Sequence, residues 1–285
     1  MGKKSRKKKI RFNPIYLILI PLAFFFALPI IYLVSTAFKP IEELFLFPPQ
    51  FFVRRPTLGN FSSLLMATSG TWIPFSRYLF NSAFVTITAV SVNVLIATMI
   101  AYPLAKHKVP GKNIIFMAII GALMFAPQVT GLPRYIVINK LGLIDTYGAL
   151  ILPALATAYS PFLMKQFMEQ VPDQLIEAAK LDGCSEWQIF YYVMIPMVKP
   201  ALATLFLFQF IAVWNNYSDA LIYTRTEAMK TLPLAIQTIA GGPGVVARQG
   251  AVAAAAFLTT LPVIIIFILV QKQVIQSMAY SGIKA

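Results

Sequence analysis

The sequence is poor in the residues that carry chemistry. It holds one cysteine, Cys184, and one histidine, His107, in 285 residues. A lone cysteine closes no disulfide within the chain and builds no thiolate metal site. One histidine in a surface loop cannot serve a Ser/His/Asp set, and no cluster of metal ligands accompanies it. His107 lies in the basic stretch KHKVPGK, where a solvated side chain is the expectation. There is no G-x-x-x-x-G-K-[ST] phosphate loop, so ATP is not held in that manner. No catalytic residue, metal ligand or bound cofactor is expected, and the chain is not read as an enzyme.

Charge is scarce as well. Acidic residues number ten against 24 basic ones, and charged residues make up 12% of the chain. Five of the acids (Glu169, Asp173, Glu177, Asp182 and Glu186) fall in one short stretch. Apolar residues reach 58% and the mean hydropathy is +0.73, values outside the soluble globular range. Several long stretches contain no Asp, Glu, Lys or Arg, and a spanning helix needs about 20 mostly apolar residues. Two fail on content: 56–76 is rich in Pro, Gly, Ser and Thr, and 231–247 ends in GGPGVVA, which suits a loop. Six spans remain, near 14–38, 79–105, 113–131, 147–165, 200–218 and 249–271. The reading is an all-α integral membrane protein: a tail over 1–12 and a membrane domain over 13–285.

Six spans put both termini on one side. The tail MGKKSRKKKIR carries seven basic residues and holds the N-terminus in the cytoplasm. The segments assigned inside carry fifteen Lys and Arg, against nine outside. Acids count little in this rule, so the cluster at 169–186 can sit inside. No aromatic residue interleaves with the basic tail, which argues for anionic lipid as its partner and against nucleic acid. Its apolar region is too long for a cleavable signal peptide. Prolines at 21, 29, 103, 127, 153, 161 and 262 forecast kinks. Ser82, Thr86, Ala89 and Asn93 form a small, polar stripe expected to pack on a neighbouring helix. GLPRYIVINKLGLIDTYG (131–148) reads as a short amphipathic helix along the outer surface.

The charge-free windows lack the ionisable groups with which carriers and pumps couple ions. That weighs against an ion-coupled secondary carrier, the alternative from another class. If solute moves uphill, the energy enters from another subunit, and such a subunit needs a handle. DQLIEAAKLDG reads as a short helix stopped at Gly183, and Ser185-Glu186-Trp187-Gln188 matches a capping box opening a second helix. Ala178 and Ala179 keep one side thin enough for a groove, and Glu177 offers a charge to a basic partner. An ordinary loop kept soluble by its acids fits the same residues about equally.

The stretch resembles the signature loop of binding-protein-dependent ABC transporter permeases: E-A-A, three residues, G, nine residues, I-x-L-P. It falls here on Glu177, Ala178, Ala179 and Gly183, then Val193, Ile195 and Pro196, with Val and Ile replacing Ile and Leu. LFNS (79–82), AYPLAK (101–106), VPGK (109–112), NKLGLIDT (139–146), FIAVWNN (210–216) and SGIKA (281–285) narrow it to carbohydrate-uptake permeases of the maltose-transporter type, shorter six-span partner. The family tail ends Gly-Ala-Val-Lys-Gly, of which Lys284 matches. The resemblance implies the type I importer permease fold in a bacterial or archaeal cell membrane. It implies a second permease as heterodimer partner, two ABC ATPase subunits that hold ATP and Mg, and an extracytoplasmic solute-binding protein. The loop 171–198 becomes the ATPase-coupling site, with Asp182 among its residues. A sugar or oligosaccharide is the implied solute; the alternative in the same architecture is a glycerol phosphate-type solute. In span five, Phe206, Phe210 and Trp214 share a stripe that lipid or a neighbouring helix explains for the phenylalanines. Gln209, Trp214, Asn215 and Asn216 are the candidate lining of a sugar path, since aromatic faces stack on sugars and amides bond hydroxyls.

Overall fold

A computed structural model describes residues 14–69, 73–241 and 248–282. The basic tail and Lys284 lie outside the described residues. The described residues form two compact units. One runs to Leu64 and takes in the stretch up to Phe257; the other runs from Leu65 and resumes at Leu258.

The first unit holds α1 (Tyr16–Ala37), α2 (Ile41–Leu44) and the start of α3 (Gly59–Ser69). α1 is apolar and exposed nearly all round, as a helix facing lipid must be. Side chains bond the backbone of the segment that follows it. Asn60 donates through Nδ2 to the carbonyls of Ala37 at 2.9 Å and Lys39 at 2.7 Å, groups that the end of α1 leaves unpaired. The buried Glu43 carboxylate accepts the N–H groups of Arg54 and Arg55, each at 3.0 Å.

The second unit is built around α4 (Phe75–Lys106). Its buried stripe of Ser82, Thr86, Ala89, Asn93, Ala97 and Ala101 lets neighbouring backbones approach closely. After Gly111, in the left-handed region, come α5 (Lys112–Leu123) and α6 (Pro127–Lys140). The two are bent by 108°, so the span expected over 113–131 stops at Leu123. Pro127 explains the break: Ala126 before it is extended, with ψ 138°. The short helix expected over 131–148 is thus α6, displaced toward the N-terminus. α7 (Tyr147–Leu155) and α8 (Tyr159–Glu169) follow, and packed on α4 they form one interrupted span. The interruption at 156–158 frees two carbonyls, and Asn93 of α4 donates to both, Ala154 and Leu155, at 3.1 Å. Lys165 belongs to the span expected over 147–165, and it is buried rather than wet. It pairs with Glu169 at 2.6 Å and sits 3.7 Å from the centre of the Phe116 ring.

α9 (Asp173–Leu181) precedes a helical run α10 (Glu186–Met197) whose centre, Ile189–Met194, is π-helical. A bend of 76° between Pro196 and Pro200 leads into α11 (Lys199–Trp214). The span expected over 200–218 ends there, because the helix closes at Trp214 and restarts as α12 (Tyr217–Tyr223). Residues set aside as loop within 231–247 form α13 (Leu232–Gly241), packed on α4 and α12; 242–247 lie outside the described residues. The long α14 (Gln249–Gly282) closes the chain. Among the described residues four helical segments are long and apolar enough to cross a membrane, and six if each bent pair is one span.

Candidate functional site

The E-A-A stretch folds as an elbow closed by its own residues. α9 ends in a paired turn: Cys184 donates its N–H to Ala179 O and Gly183 to Lys180 O, both at 3.0 Å. That double bond pattern requires a left-handed residue at its apex, and Gly183 supplies it at φ +78°. The next helix opens at once on a capping box. Gln188 donates its N–H to Ser185 Oγ at 3.4 Å, and Ser185 donates its own to Gln188 Oε1 at 2.7 Å. Every turn of chain between the two helices is therefore held locally.

The elbow has an inner and an outer side. Ile176 is buried, and Ala179, Cys184, Val193 and Ile195 pack against a core of Tyr102, Met164, Met168, Ile189, Phe190 and Met194. Ala178 faces outward and Ala179 inward, so only the first of the two alanines keeps the outer side thin. Glu177, Asp182 and Pro196 are exposed. So are two large apolar side chains that sequence reasoning passed over, Leu181 at 89% and Trp187 at 69%. Of these, tryptophan is the residue type enriched in protein–protein contacts.

Charged groups cross from the elbow to the end of α4. Lys106 Nζ donates to Asp173 Oδ1 at 2.6 Å and to Val171 O at 2.5 Å. Glu186 receives three donors: Lys180 Nζ at 2.7 Å on one oxygen, Tyr102 Oη and His107 Nε2 at 3.0 Å on the other. The Lys180 ammonium holds the Glu186 carboxyl below its ordinary range, against a burial that would raise it, and Tyr102 and His107 add to the effect. His107 is thus not the solvated side chain expected of a basic loop. Its side chain is 32% exposed and its ring meets Tyr102 edge-on at 4.9 Å.

The candidate path residues are not gathered at one place. Gln209 is buried and donates to Thr157 Oγ1 at 2.9 Å and Ser160 Oγ at 3.0 Å. Asn93 joins the same network by donating to Thr157 Oγ1 and accepting from Ser160 Oγ. Trp214 stacks on Phe210 at 5.7 Å and donates its indole N–H to Thr259 O. Asn215 donates to Ile211 O, and Asn216 caps α12 by accepting the Asp219 N–H at 3.1 Å. Asp219 also pairs with Arg134 of α6 at 2.5 Å. Nearby, burial alone would raise the Asp145 carboxyl. The N–H groups of Thr226 and Arg225 and the Thr226 hydroxyl instead hold it below its usual range. A cavity of about 20 Å³ lies among Ser82, Thr86, Trp214, Asn216, Asp219 and Thr231. That space suits a single water, where small-ligand pockets run to about 300 Å³ or more.

The chain as a whole has counterparts in known proteins. The family described as the binding-protein-dependent transport system inner membrane component matches residues 85–280. The chain belongs to this family. Two relatives of this inner membrane component align over nearly the whole chain. The arabinooligosaccharides transport system permease protein AraQ of Halalkalibacterium halodurans is 30% identical, covering 92% of this chain and 93% of its own length. A probable ABC transporter permease protein, y4oR of Sinorhizobium fredii, is 36% identical over 92% of each chain. In fold it matches a chain of a bacterial ABC transporter involved in import of the acidic polysaccharide alginate. The TM-score is 0.78 at 24% identity, covering 95% of this chain and 99% of that one. The protein is therefore an all-helical transport permease with the type I ABC importer fold.

Proposed function

We propose that this permease forms half of the translocation path of an ATP-driven importer for a sugar or oligosaccharide. A separate ATPase, which binds ATP and Mg, works it through the α9–α10 elbow. The observation that carries the reading is the elbow itself. It is rigid by its own bonding and presents Glu177, Ala178, Leu181 and Trp187 outward, on a chain whose expected spans hold one Asp, Glu, Lys or Arg, Lys165, which is paired with Glu169. The excess of Lys and Arg on the elbow's side of the sequence supports a cytoplasmic placing of that end and of both termini in the cell membrane. The arabinooligosaccharide relative supports the solute class. The space beside Trp214 and Asn216 is too small for a sugar, which supports a second permease facing those residues. An extracytoplasmic solute-binding protein delivers the sugar.

Glu177→Lys reverses the charge offered to the ATPase. Gly183→Pro removes the N–H bonded to Lys180 O and cannot adopt φ +78°. Both variants are expected to insert normally and to lose ATP-driven uptake of labelled oligosaccharide in vesicles holding the full complex. Normal uptake by both variants would refute the coupling role. Competition of uptake by a glycerol phosphodiester, without competition by oligosaccharides, would replace the solute class.

A further inference from the structure

The elbow is attached to the bundle in two ways. Its chain continues through α10 into α11, the route by which the sequence itself would carry a push. Yet α9 buries one side chain of its own, Ile176, so apolar packing holds it only lightly. Charged groups do the rest, and they lead to a different helix. The first turn of α9 is tied to α4 by Asp173 and Lys106. The last turn is tied by Lys180 to Glu186, and Glu186 in turn to Tyr102 and His107 of α4 and its C-cap. The Lys106 side chain is 5% exposed and has both acceptors within 2.6 Å. An ammonium that deep is costly to leave without its partners, and charge-assisted bonds are the stronger kind.

We propose that Lys106, His107 and Glu186 are positioning residues that fasten both ends of α9 to the end of α4. A displacement of the elbow then moves α4 directly instead of passing only along the chain into α11. This inference rests on the coupling role of the elbow. It gives α4 a reason to be the spine: α7, α8, α11 and α13 all pack on it, so one driven helix carries the others. It also assigns a use to the one histidine.

The test uses the whole complex in lipid vesicles and reads solute moved per ATP hydrolysed. Glu186→Ala is expected to lower that ratio at least fivefold. Glu186→Gln, which still accepts from Tyr102 and Lys180, is expected to lie between it and the parent. Spin labels at the exposed positions Gln174 and Lys108 supply a second reading. Their separation is expected to hold constant through the ATP cycle in the parent and to broaden in Lys106→Ala, which cuts the tie to Asp173 beside the first label. An unchanged ratio in Glu186→Ala, or uptake and hydrolysis falling together at constant ratio, overturns the proposal. So does a label distance indifferent to Lys106→Ala. If the Glu186 variants behave as the parent while Glu177→Lys uncouples, the elbow keeps its role and the fastening to α4 fails. If Glu177→Lys is also silent, the coupling role itself falls.

Discussion

Replacing Gly183 by asparagine, alanine and valine in turn isolates the backbone conformation of the elbow from everything around it. A Cβ built on Gly183 meets nothing within 4 Å, so none of the three side chains is excluded by space. Only φ +78° discriminates among them. Alanine in the left-handed region costs about 1–2 kcal/mol. Asparagine visits that region readily and costs a few tenths, whereas a β-branched residue is a true outlier there and costs more than alanine. One kcal/mol is about fivefold in an equilibrium constant at room temperature, and ~1.4 kcal/mol is tenfold. The Gly183 and Cys184 amides, bonded to Lys180 O and Ala179 O, are protected only while the turn is closed. Hydrogen exchange at those two amides in the full-length protein in lipid nanodiscs therefore reads the cost directly. Alanine is expected to speed exchange about five- to thirtyfold, valine more, and asparagine less than threefold. Uptake is expected to fall in the same order. Equal exchange in the asparagine and valine variants would refute the argument, since it would mean the turn does not depend on its left-handed residue.

Two further outcomes follow from contacts deeper in the bundle. Asn93→Ala strips donors from the carbonyls of Ala154 and Leu155 and leaves the Ser160 hydroxyl without its acceptor. With each orphaned buried group costing about 1–3 kcal/mol, a clear drop in thermal midpoint in detergent is expected, and an unchanged midpoint would show the network to be dispensable. Replacing Asn215 and Asn216 together by leucine removes both amides at the α11–α12 joint, and with Asn216 the cap of α12. Reduced uptake, with Asn216→Ser restoring the cap but not the rate, is expected if they line the sugar path; wild-type uptake by the leucine pair would remove them from it.

What could be read from sequence was local. Gly183, Ser185 and Gln188 encode the elbow within six residues, because a left-handed apex and a capping box need no distant partner. The apolar windows were legible for the same reason, being runs of composition. Features that depend on a distant partner were not. His107 looked solvated because the carboxylate that binds it lies 79 residues further on. Asn93 was read as a packing residue, which it is, but the carbonyls it serves exist only because α7 breaks at 155. The proline at 127 forecast a kink without giving its angle, so a kinked but continuous span over 113–131 was expected where the chain turns by 108°. In 231–247 the terminal glycines and proline outweighed a helix over Leu232–Gly241 whose start is held by the Ser82 hydroxyl of α4, which accepts the Leu232 N–H at 2.7 Å. Lengths and caps travel with the chain; angles and long bonds do not.

Because the joint between α9 and α10 is closed by hydrogen bonds among Ala179, Lys180, Gly183, Cys184, Ser185 and Gln188, its angle is set locally. The side chains that point away from it are left out of that bonding. Glu177, Ala178, Leu181 and Trp187 can therefore be rewritten like the teeth of a key while the shank stays as it is. On the coupling role proposed above, substitutions on that face alone would change the ATPase such a permease answers to, with no repacking of the bundle.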